Sequence, residues 1–400
     1  MSVNRKALLI RLGPYDMTQA IPRAASTLQE MGYSITILSL DRHKNKPDVE
    51  SVNGWQIIWY HSTYKSGHKL SFLWMWVRWW VLVIRKICGG QYSLVQAFNL
   101  ESVVPCVLAK PFRRFKLIFH VSDPWGMNSA DSSGFMMRMF KVMERWAAAH
   151  VDGMVLTQGI LEKTGLYFGK KVCSRIPSAQ VLNVPGTDIG GEFIPPNTNG
   201  IRINFSGHIS YVRNAQALID LASEKPEVQI DVIGEIRDEK LRSSLQSFPN
   251  IKLYGLLPFN QAMDLLQQAN LVCVMYDTNT EVAVVSSANK MFEAMMQSRP
   301  YVASEKGYPC IIAEKYSLGW AIPYGNSRAL IELVSELFAC PSKIEAAAKN
   351  ARKTYEDYFT WDKQKANLIS LYTYVSDGEN MRYFSHAGWD KMVGTVLKYE

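Results

Sequence analysis

Residues 283–307 read AVVSSANKMFEAMMQSRPYVASEKG, and the pattern in and around them indicates the fold class of the chain. The segment before them, LVCVMYD at 271–277, is rich in β-branched and apolar residues, as is YVAS at 301–304, and both predict short buried strands. The apolar residues between these strands recur at helical spacing: Met291, Phe292, Met295 and Met296. The pattern therefore predicts a strand–helix–strand unit of a parallel α/β sheet.

The small residues that lead into this helix favour an anion site. Ser286 and Ser287 are candidate N-caps, and the backbone from Ser286 to Ala288 is expected to present free N–H groups at the positive end of the helix dipole, where a phosphate binds well. Glu293 lies about two turns further on, where an exposed carboxylate in a cleft could reach the sugar hydroxyls of a nucleotide. The alternative is an ordinary βαβ unit with a solvent-facing glutamate.

The run NKMFEAMMQSRPYVAS resembles the donor-site signature of retaining family 4 glycosyltransferases, which have the two-domain GT-B fold. In that signature two glutamates eight positions apart precede a strand that begins with a small residue, any residue and proline. Glu293 matches the second glutamate, while Val285 stands in place of the first and Ser298 in place of the usual glycine. The resemblance implies that Glu293 binds the ribose of a nucleotide-sugar donor.

The length and composition of the chain are those of a globular protein of two domains. The chain has 400 residues, of which 48% are hydrophobic and 20% charged. The sequence MSVNRKALLIRLG shows no signal peptide, since its apolar run is short and contains Arg11. The six cysteines, at positions 88, 106, 173, 273, 310 and 340, are scattered and form no metal-binding spacing. Buried free thiols and a cytoplasmic location are expected.

The net charge of +8 is concentrated in the first half. Up to Pro195 there are 23 basic and 13 acidic residues, against 21 and 23 in the remainder. A basic first half predicts an anionic partner, such as a membrane surface or a lipid-linked acceptor. Nucleic acid is not expected as a partner because no nucleic-acid-binding motif or dense basic block is present.

The most hydrophobic segment is LSFLWMWVRWWVLVI, residues 70–84. A helix from Phe72 to Ile84 covers about 20 Å, which is too short for a hydrocarbon core of about 30 Å. Two interpretations remain: a buried helix of the first domain, or an interfacial helix that inserts its tryptophans into lipid. The tryptophans are at positions 74, 76, 79 and 80, and residues 70–86 are the candidate contact with an anionic membrane on its inner face.

The resemblance extends over the first domain. The segment KLIFHVSDPW is similar to the family's strand that ends in a histidine and is followed by an acidic residue. It implies that His120 is the active-site histidine beside the transferred sugar, with Asp123 at the sugar or at the acceptor hydroxyl. Gly13, in the loop after the first strand, matches the glycine that approaches donor and acceptor. Without the family, His120 reads equally well as a core histidine, and Gly13 as a turn glycine.

In the second domain IRINFSGHISYVRNAQALIDLA is similar to the family's strand, Gly-Arg, loop, Lys-Gly and helix. Gly207 matches, His208 stands where the family has arginine, and Arg213 where it has lysine. Arg213 keeps the positive charge for the donor diphosphate and adds bidentate geometry. Gly234 matches the glycine at the end of the next strand. Lys290 is a second candidate for the leaving phosphate, with a solvated helix lysine as the alternative.

The resemblance covers residues 5 to 375 and implies two Rossmann-like domains facing across a cleft, with a C-terminal helix crossing back to the first domain. A linker is expected at 186–200. The expected parts are an acceptor-side domain at 1–190, a nucleotide-sugar domain at 201–358, a crossover helix at 359–375 and an extension at 376–400.

The sequence and its resemblance predict a retaining glycosyltransferase of cell-surface polysaccharide or glycolipid biosynthesis. It would move a sugar from a nucleotide-diphosphate sugar to a sugar or lipid-linked acceptor, and the absence of Asp-x-Asp and of a histidine–cysteine cluster predicts no metal and no cofactor. The alternatives are a catalytically silent binding subunit of the same fold, favoured by Val285 and His208, and a sugar-nucleotide epimerase.

Overall fold

The computed structural model describes residues 5–42, 44–62, 69–127, 134–195 and 200–377. The chain divides into two compact units. The first comprises Met1–Leu182 together with Gln364–Glu400, and the second comprises Asn183–Lys363. Residues 378–400, most of the expected C-terminal extension, lie outside the described residues.

The first unit is built on a mainly parallel sheet. Its described strands are β1 (Arg5–Arg11), β2 (Tyr33–Asp41), β3 (Val49–Val52), β4 (Trp55–His61), β5 (Leu94–Phe98), β6 (Lys116–Val121), β7 (Gly153–Leu156) and β8 (Ser178–Gln180). Their spatial order is β3-β4-β2-β1-β5-β6-β7-β8, and among them β3 and β4 pair antiparallel. The carboxyl ends of β1, β5 and β6 therefore lie side by side at one edge, where open α/β sheets bind ligands.

Helices cover this sheet and supply the rest of the core. Those described before the second unit are α1 (Ala20–Glu30), α2 (Lys69–Gly89), α3 (Leu100–Ala109), α4 (Gly134–Ala148), α5 (Leu161–Phe168) and α6 (Lys170–Cys173). Helix α1 ends shortly before Gly32, which has a φ of +86°, a conformation that favours glycine.

Helix α2 buries most of the four tryptophans, which favours the first of the two interpretations of this segment. Trp79 is 0% exposed and Trp76 7%, Trp80 is half-buried, and only Trp74 of the four is exposed, at 60%. Trp76 packs against Trp125 and Phe140, with ring centroids 5.5 and 6.4 Å away. The tryptophan side of this helix therefore belongs mostly to the core of the first unit.

The second unit contains a parallel sheet. Its described strands are β9 (Arg202–Ile209), β10 (Gln229–Ile236), β11 (Ile251–Gly255), β12 (Leu271–Val274), β13 (Tyr301–Ser304) and β14 (Gly319–Ile322). Their order is β11-β10-β9-β12-β13-β14, the doubly wound arrangement, and every described pair is parallel. The order reverses between β9 and β12, which is where such sheets bind ligands.

The helices of the second unit alternate with its strands. They are α7 (Ala215–Glu224), α8 (Glu239–Gln246), α9 (Phe259–Gln267), α10 (Glu281–Val285), α11 (Asn289–Met296), α12 (Tyr308–Lys315), α13 (Ser327–Ala339), α14 (Ser342–Thr354) and the π-helix Tyr355–Phe359. One core cluster includes Ile203, Phe205 and Val232 of the sheet and Leu218 and Leu221 of α7. Burial of this apolar surface is the main stabilising contribution to the unit.

The glycine-rich segment expected as a linker is packed against the second unit. Arg299 donates to the carbonyl of Ile194 across 3.0 Å, and Ser298 donates to the carbonyl of Gly191. Arg352 forms an ion pair with Asp188 at 2.8 Å. The second unit accordingly begins at Asn183 and not after a free linker.

The chain returns to the first unit through its last described helix, α15 (Trp361–Asp377). Gln364 accepts a hydrogen bond from the backbone N–H of Leu182 at 2.9 Å, and Tyr33 is hydrogen bonded to Ser376 at 2.8 Å. The expected crossover helix covers 359–375, and α15 covers Trp361–Asp377.

Candidate functional site

The glycines of β9 and β10 stand side by side at the carboxyl edge of the second sheet. Gly207 has a φ of +120° and Gly234 a φ of +140°, and the two are register partners. A Cβ on Gly234 would lie 1.8 Å from the carbonyl oxygen of Gly207. Glycine at 234 is therefore required by strand packing, whatever it contributes to donor binding.

Gly207 has two cationic side chains beside it. A Cβ there would lie 3.4 Å from Nη1 of Arg213 and 3.8 Å from Cε of Lys290. The missing side chain leaves backbone accessible between two positive groups, an arrangement suited to a diphosphate. We call Gly207, Arg213 and Lys290 the cationic cradle.

Arg213 is held in place by Tyr276. The guanidinium lies 4.3 Å from the centre of the Tyr276 ring and donates to its hydroxyl at 2.9 Å. Burial raises the pKa of Tyr276, with Glu293 adding to the rise and Arg213 opposing it. Tyr276 lies two residues beyond the end of β12, a strand that flanks the point where the sheet order reverses.

Glu293 is buried and paired, contrary to the expectation that its carboxylate is exposed. Its side chain forms an ion pair with Lys290, whose Nζ lies 2.6 Å from Oε2. The two residues are one helical turn apart on α11, so the pairing follows from i,i+3 spacing. The structure thus places Glu293, Lys290 and Arg213 within one cluster around Gly207 and Tyr276.

The start of α11 differs in detail from the prediction. Ala288 is the N-cap residue and makes no side-chain cap hydrogen bond, so Ser286 and Ser287 do not cap this helix. They follow a short helix, α10, that ends at Val285, and Val285 itself is buried. The backbone N–H groups of the first turn of α11 remain the candidate phosphate donors of this segment.

His208 is exposed at the end of β9, and its register partner is Glu235. The pKa of Glu235 is lowered chiefly by Arg237, with a smaller contribution from His208. Glu235 therefore places a negative charge beside the imidazole of His208.

In the first unit His120 lies at the end of β6 and is buried. Its ring stacks on Phe98, with centroids 4.4 Å apart and planes at 27°. Nδ1 is 3.0 Å from Nε2 of Gln96, while no described group hydrogen bonds with Nε2. Burial, assisted by the positive charge of Arg11, lowers the pKa of His120 to about 3. His120 is therefore neutral at physiological pH and is not a proton-transfer group there.

Asp123 lies in the exposed loop that follows His120, and several groups fix that loop. Asn99 accepts hydrogen bonds from the backbone N–H groups of Ser122, at 3.0 Å, and Asp123, at 3.5 Å. Glu144 accepts from the N–H groups of Trp125, at 2.8 Å, and Gly126, at 3.3 Å, and also from the hydroxyl of Tyr167. The position of Asp123 beside the strand end is set by these neighbours.

Glu101 is a buried carboxyl in the first turn of α3 that sequence reasoning missed. Its Oε2 has no hydrogen-bond partner among the described residues. Burial raises its pKa to about 7, against an opposing contribution from Arg11 and a reinforcing one from Glu144. The sequence around Glu101 gives no sign that this carboxyl is buried, because its burial depends on Trp125 and Glu144 from distant segments.

Gly13 is buried, and its carbonyl oxygen accepts hydrogen bonds from Ser39 at 2.9 Å and from the N–H of Leu40 at 3.3 Å. A Cβ at this position would lie 3.1 Å from Nε of Arg11. The loop after β1 is thus anchored to β2, and it lies beside the carboxyl edge where His120 ends its strand.

Residues 202–340, which contain the cationic cradle and Glu293, match the family described as Glycosyl transferases group 1. This part of the chain is a glycosyltransferase domain. The match confirms the prediction of a family 4-like glycosyltransferase and of an enzyme of that class.

Two curated relatives of this glycosyltransferase are similar at low identity. Spore coat protein SA of Bacillus subtilis strain 168 is 24% identical over 335 residues, which is 72% of this chain and 85% of the relative. O-antigen chain mannosyltransferase C of Escherichia coli is 24% identical over 184 residues, 44% of this chain and 47% of the relative.

Among solved structures, that of Anabaena HepE in complex with UDP and glucose is similar to this glycosyltransferase with a TM-score of 0.66. The identity is 14%, and the match covers 92% of this chain and 100% of the other. A likeness of this extent shows the fold, and it confirms the predicted GT-B class.

The described residues contain neither a candidate metal site nor a helix that could span a membrane. No group of three or more histidine, cysteine, aspartate or glutamate side chains there could hold a metal ion. Likewise, no helix in those ranges is long and apolar enough to cross a bilayer.

Proposed function

We propose that this chain transfers a sugar, with retention of anomeric configuration, from a nucleotide-diphosphate sugar to an acceptor in cell-surface polysaccharide or glycolipid biosynthesis. The observation that carries the proposal is the cationic cradle inside the glycosyltransferase domain. Departure of the nucleotide places negative charge on the β-phosphate, and preorganised cations and backbone N–H groups stabilise that charge.

Within this proposal Arg213 and Lys290 bind the donor diphosphate, with the first turn of α11 supplying N–H donors. Glu293 accepts hydrogen bonds from the ribose and exchanges its pairing with Lys290 for that contact. HepE, a similar structure, was solved with UDP and glucose, which supports a nucleotide-sugar donor. His120 donates to a sugar oxygen, and Asp123 contacts the acceptor.

The acceptor class is suggested by one relative and by the charge of the chain. The relative from Escherichia coli is an O-antigen chain mannosyltransferase. The half of the sequence up to Pro195 has 23 basic and 13 acidic residues, which suits an anionic or lipid-linked acceptor.

The first unit has a surface suited to an anionic bilayer, and we propose that the enzyme acts while bound to such a bilayer. Large apolar side chains are exposed on two helices that meet through Trp76 and Phe140. They are Trp74, Val77 and Val81 of α2 and Phe135, Met139, Val142 and Trp146 of α4. Exposed arginines stand among them, including Arg78, Arg85 and Arg138. Apolar insertion combined with cationic attraction is typical of interfacial helices. We call these two helix faces the apolar–basic surface.

A donor screen tests the catalytic proposal. The purified chain is incubated with UDP-, GDP- and ADP-sugars, and slow nucleotide release is measured for the wild type, Arg213→Ala and the control Arg328→Ala, an exposed arginine in surface ion pairs. We expect hydrolysis of one donor, retained by the control and lost in Arg213→Ala. A silent subunit would bind nucleotide without releasing it from any sugar, and an epimerase would convert the donor without releasing nucleotide.

A further inference from the structure

Three buried side chains connect the last described helix to the candidate active-site histidine. The hydroxyl of Tyr372, on α15, donates to Oε1 of Gln96 on β5. Nε2 of Gln96 lies 3.0 Å from Nδ1 of His120 on β6. Each of the three residues is at most 3% exposed. Tyr372 and Gln96 are 276 positions apart in the sequence, and Gln96 and His120 are 24 positions apart, so only the fold brings them together.

The direction of these hydrogen bonds determines where the imidazole proton resides. Tyr372 keeps its proton because burial raises the pKa of its hydroxyl above the ordinary value. The phenol donates to the amide oxygen, which turns the amide nitrogen toward His120. An amide nitrogen can only donate, so Nδ1 must accept and the proton of a neutral ring lies on Nε2.

The opposite amide orientation satisfies fewer groups. Gln96 would then accept from Nδ1–H, and its nitrogen would donate to the phenol oxygen. The phenolic hydrogen would need another acceptor, and the described residues give Tyr372 none. Leaving a buried donor unsatisfied costs about 1–3 kcal/mol, so the first orientation is favoured.

The other nitrogen of His120 has no hydrogen-bond partner among the described groups. Stacking on Phe98 fixes the plane of the ring, and the Gln96 hydrogen bond fixes its rotation. A buried N–H donor that is oriented this firmly and has no protein partner is suited to a ligand oxygen.

We propose that Tyr372 and Gln96 are positioning residues that hold His120 as the Nε2–H tautomer, so that it donates a hydrogen bond to a ligand oxygen and does not act as a base. Tyr372 lies on the helix that returns to the first unit. This helix would then have a specific role in the active site besides closing the fold. That the ligand is the transferred sugar rests on the proposed function, whereas the tautomer does not.

Nitrogen NMR of the full-length protein labelled with ¹⁵N-histidine tests the tautomer directly. The His120 signals are identified by their loss in His120→Asn. In the wild type we expect a protonated Nε2 and an unprotonated Nδ1, unchanged between about pH 5 and pH 8. A proton on Nδ1, or titration within this range, would overturn the proposal.

Tyr372→Phe tests the role of the phenol, and Tyr33→Phe is its matched control. The control removes the 2.8 Å hydrogen bond between Tyr33 and Ser376 on the same helix and leaves Gln96 untouched. We expect Tyr372→Phe to mix the two tautomers, while the control keeps the wild-type spectrum. If Tyr372→Phe also keeps that spectrum while folded, Tyr372 does not position the ring and the proposal fails.

Turnover separates this proposal from the function it refines. With the donor found by the screen, Tyr372→Phe should lower kcat about tenfold with little change in KM, the effect of one weakened hydrogen bond in the transition state. A mixed tautomer with wild-type kcat would contradict the role of His120 toward the sugar. A chain inactive on every donor but with the expected spectra would refute the proposed function and leave the tautomer assignment intact.

Discussion

Lys290 and Glu293, one turn apart on α11, form an ion pair of 2.6 Å at the carboxyl edge of the second sheet. Their side chains are 21% and 10% exposed, so neither group is fully solvated. In the proposed mechanism both must find new partners when a donor binds: Lys290 the diphosphate and Glu293 the ribose. The pair would thus exchange an internal hydrogen bond for two ligand contacts.

Glu293→Gln tests this exchange while preserving shape. Loss of a charge-assisted hydrogen bond costs about 1.5–3 kcal/mol, so nucleotide affinity should fall about ten- to a hundredfold. Lys290→Met should also weaken binding, and the double variant should lose less than the sum of the two because they act on one pair. Calorimetric titration with UDP, GDP and ADP measures this. Wild-type affinity for the preferred nucleotide in folded Glu293→Gln would contradict the ribose assignment.

Arg213 should matter more for turnover than for fold. Its guanidinium rests on Tyr276 by a hydrogen bond and a cation–π contact. We expect Arg213→Ala to reduce kcat about a hundredfold or more, as removal of one stabilising group at a developing charge does. Tyr276→Phe keeps the ring and loses only the hydroxyl, so a reduction of about tenfold or less is expected. Steady-state kinetics with the donor found by the screen measure the kcat of both variants. If both have the wild-type kcat, the assignment of Arg213 to the donor diphosphate is wrong.

Gly234→Ala should destabilise the second unit. The added Cβ would meet the carbonyl oxygen of Gly207 at 1.8 Å, which forces the strands apart. Gly325→Ala is the matched control, because Gly325 also has a positive φ, +78°, but nothing within 4 Å of the added carbon. We expect a loss of about 1 kcal/mol for the control and about 3 kcal/mol or more for Gly234→Ala, measured by urea unfolding. Equal losses would show that conformation, not close packing, explains this glycine.

We expect membrane binding through the apolar–basic surface to depend on its exposed residues and not on the buried ones. Trp74→Ser combined with Phe135→Ser should release the protein from vesicles of phosphatidylcholine and phosphatidylglycerol in a flotation assay without loss of stability. Leu256→Ser, another exposed apolar residue but in the second unit, is the control and should float like the wild type. Binding should weaken as salt rises, since each cation near the surface contributes about 1 kcal/mol that salt screens. If the wild-type protein does not float, the proposal that the apolar–basic surface binds an anionic bilayer is wrong.

Trp79→Ala gives the complementary result. Trp79 is wholly buried, and truncation of such a side chain typically costs about 3–5 kcal/mol. We therefore expect reduced thermal stability, measured by scanning calorimetry. Unchanged stability with loss of flotation would restore the interpretation in which this tryptophan inserts into lipid.

Glu101→Gln should change the pH dependence of stability. The folded-state pKa of Glu101, about 7, lies above the ordinary carboxyl value of 4.5, so between these pH values the folded chain binds more protons than the unfolded chain. Ionisation of the buried carboxyl therefore destabilises the fold as pH rises through this window. The variant should gain about 1–3 kcal/mol relative to the wild type between pH 5 and pH 8. Urea unfolding across this range measures the difference, and a constant difference would refute the raised pKa.

The order of elements could be predicted from the sequence because local patterns determine it. Alternating apolar runs and helical periodicity give the strand–helix succession, and β1, α11 and β13 occur close to where the pattern places them. These patterns predict neither strand β3 nor the short helix α10. Both are brief elements stabilised by neighbours more than by their own residues.

The contacts of the site could be predicted only in part. The sequence, with its family resemblance, offers Gly207, Arg213 and Lys290 as candidates, which the structure brings together. It gave no sign that Glu293 pairs with Lys290, nor that Tyr276 supports Arg213. The connection from Tyr372 to His120 joins residues far apart in sequence, and no local pattern reveals it. The same limit explains the tryptophans of α2, whose burial is decided by Trp125 and Phe140.

The anomeric configuration of the transferred sugar is the most direct test of sugar transfer with retention at the cationic cradle. With the donor identified by the screen, proton NMR during the first turnovers distinguishes the configuration of the newly released or transferred sugar from that of its mutarotated form. The proposed retaining transfer predicts that an α-linked donor first yields the α-anomer, that nucleotide diphosphate appears in equal amount, and that Arg213→Ala abolishes both signals. First appearance of the β-anomer, or sugar release that persists in Arg213→Ala, would contradict it.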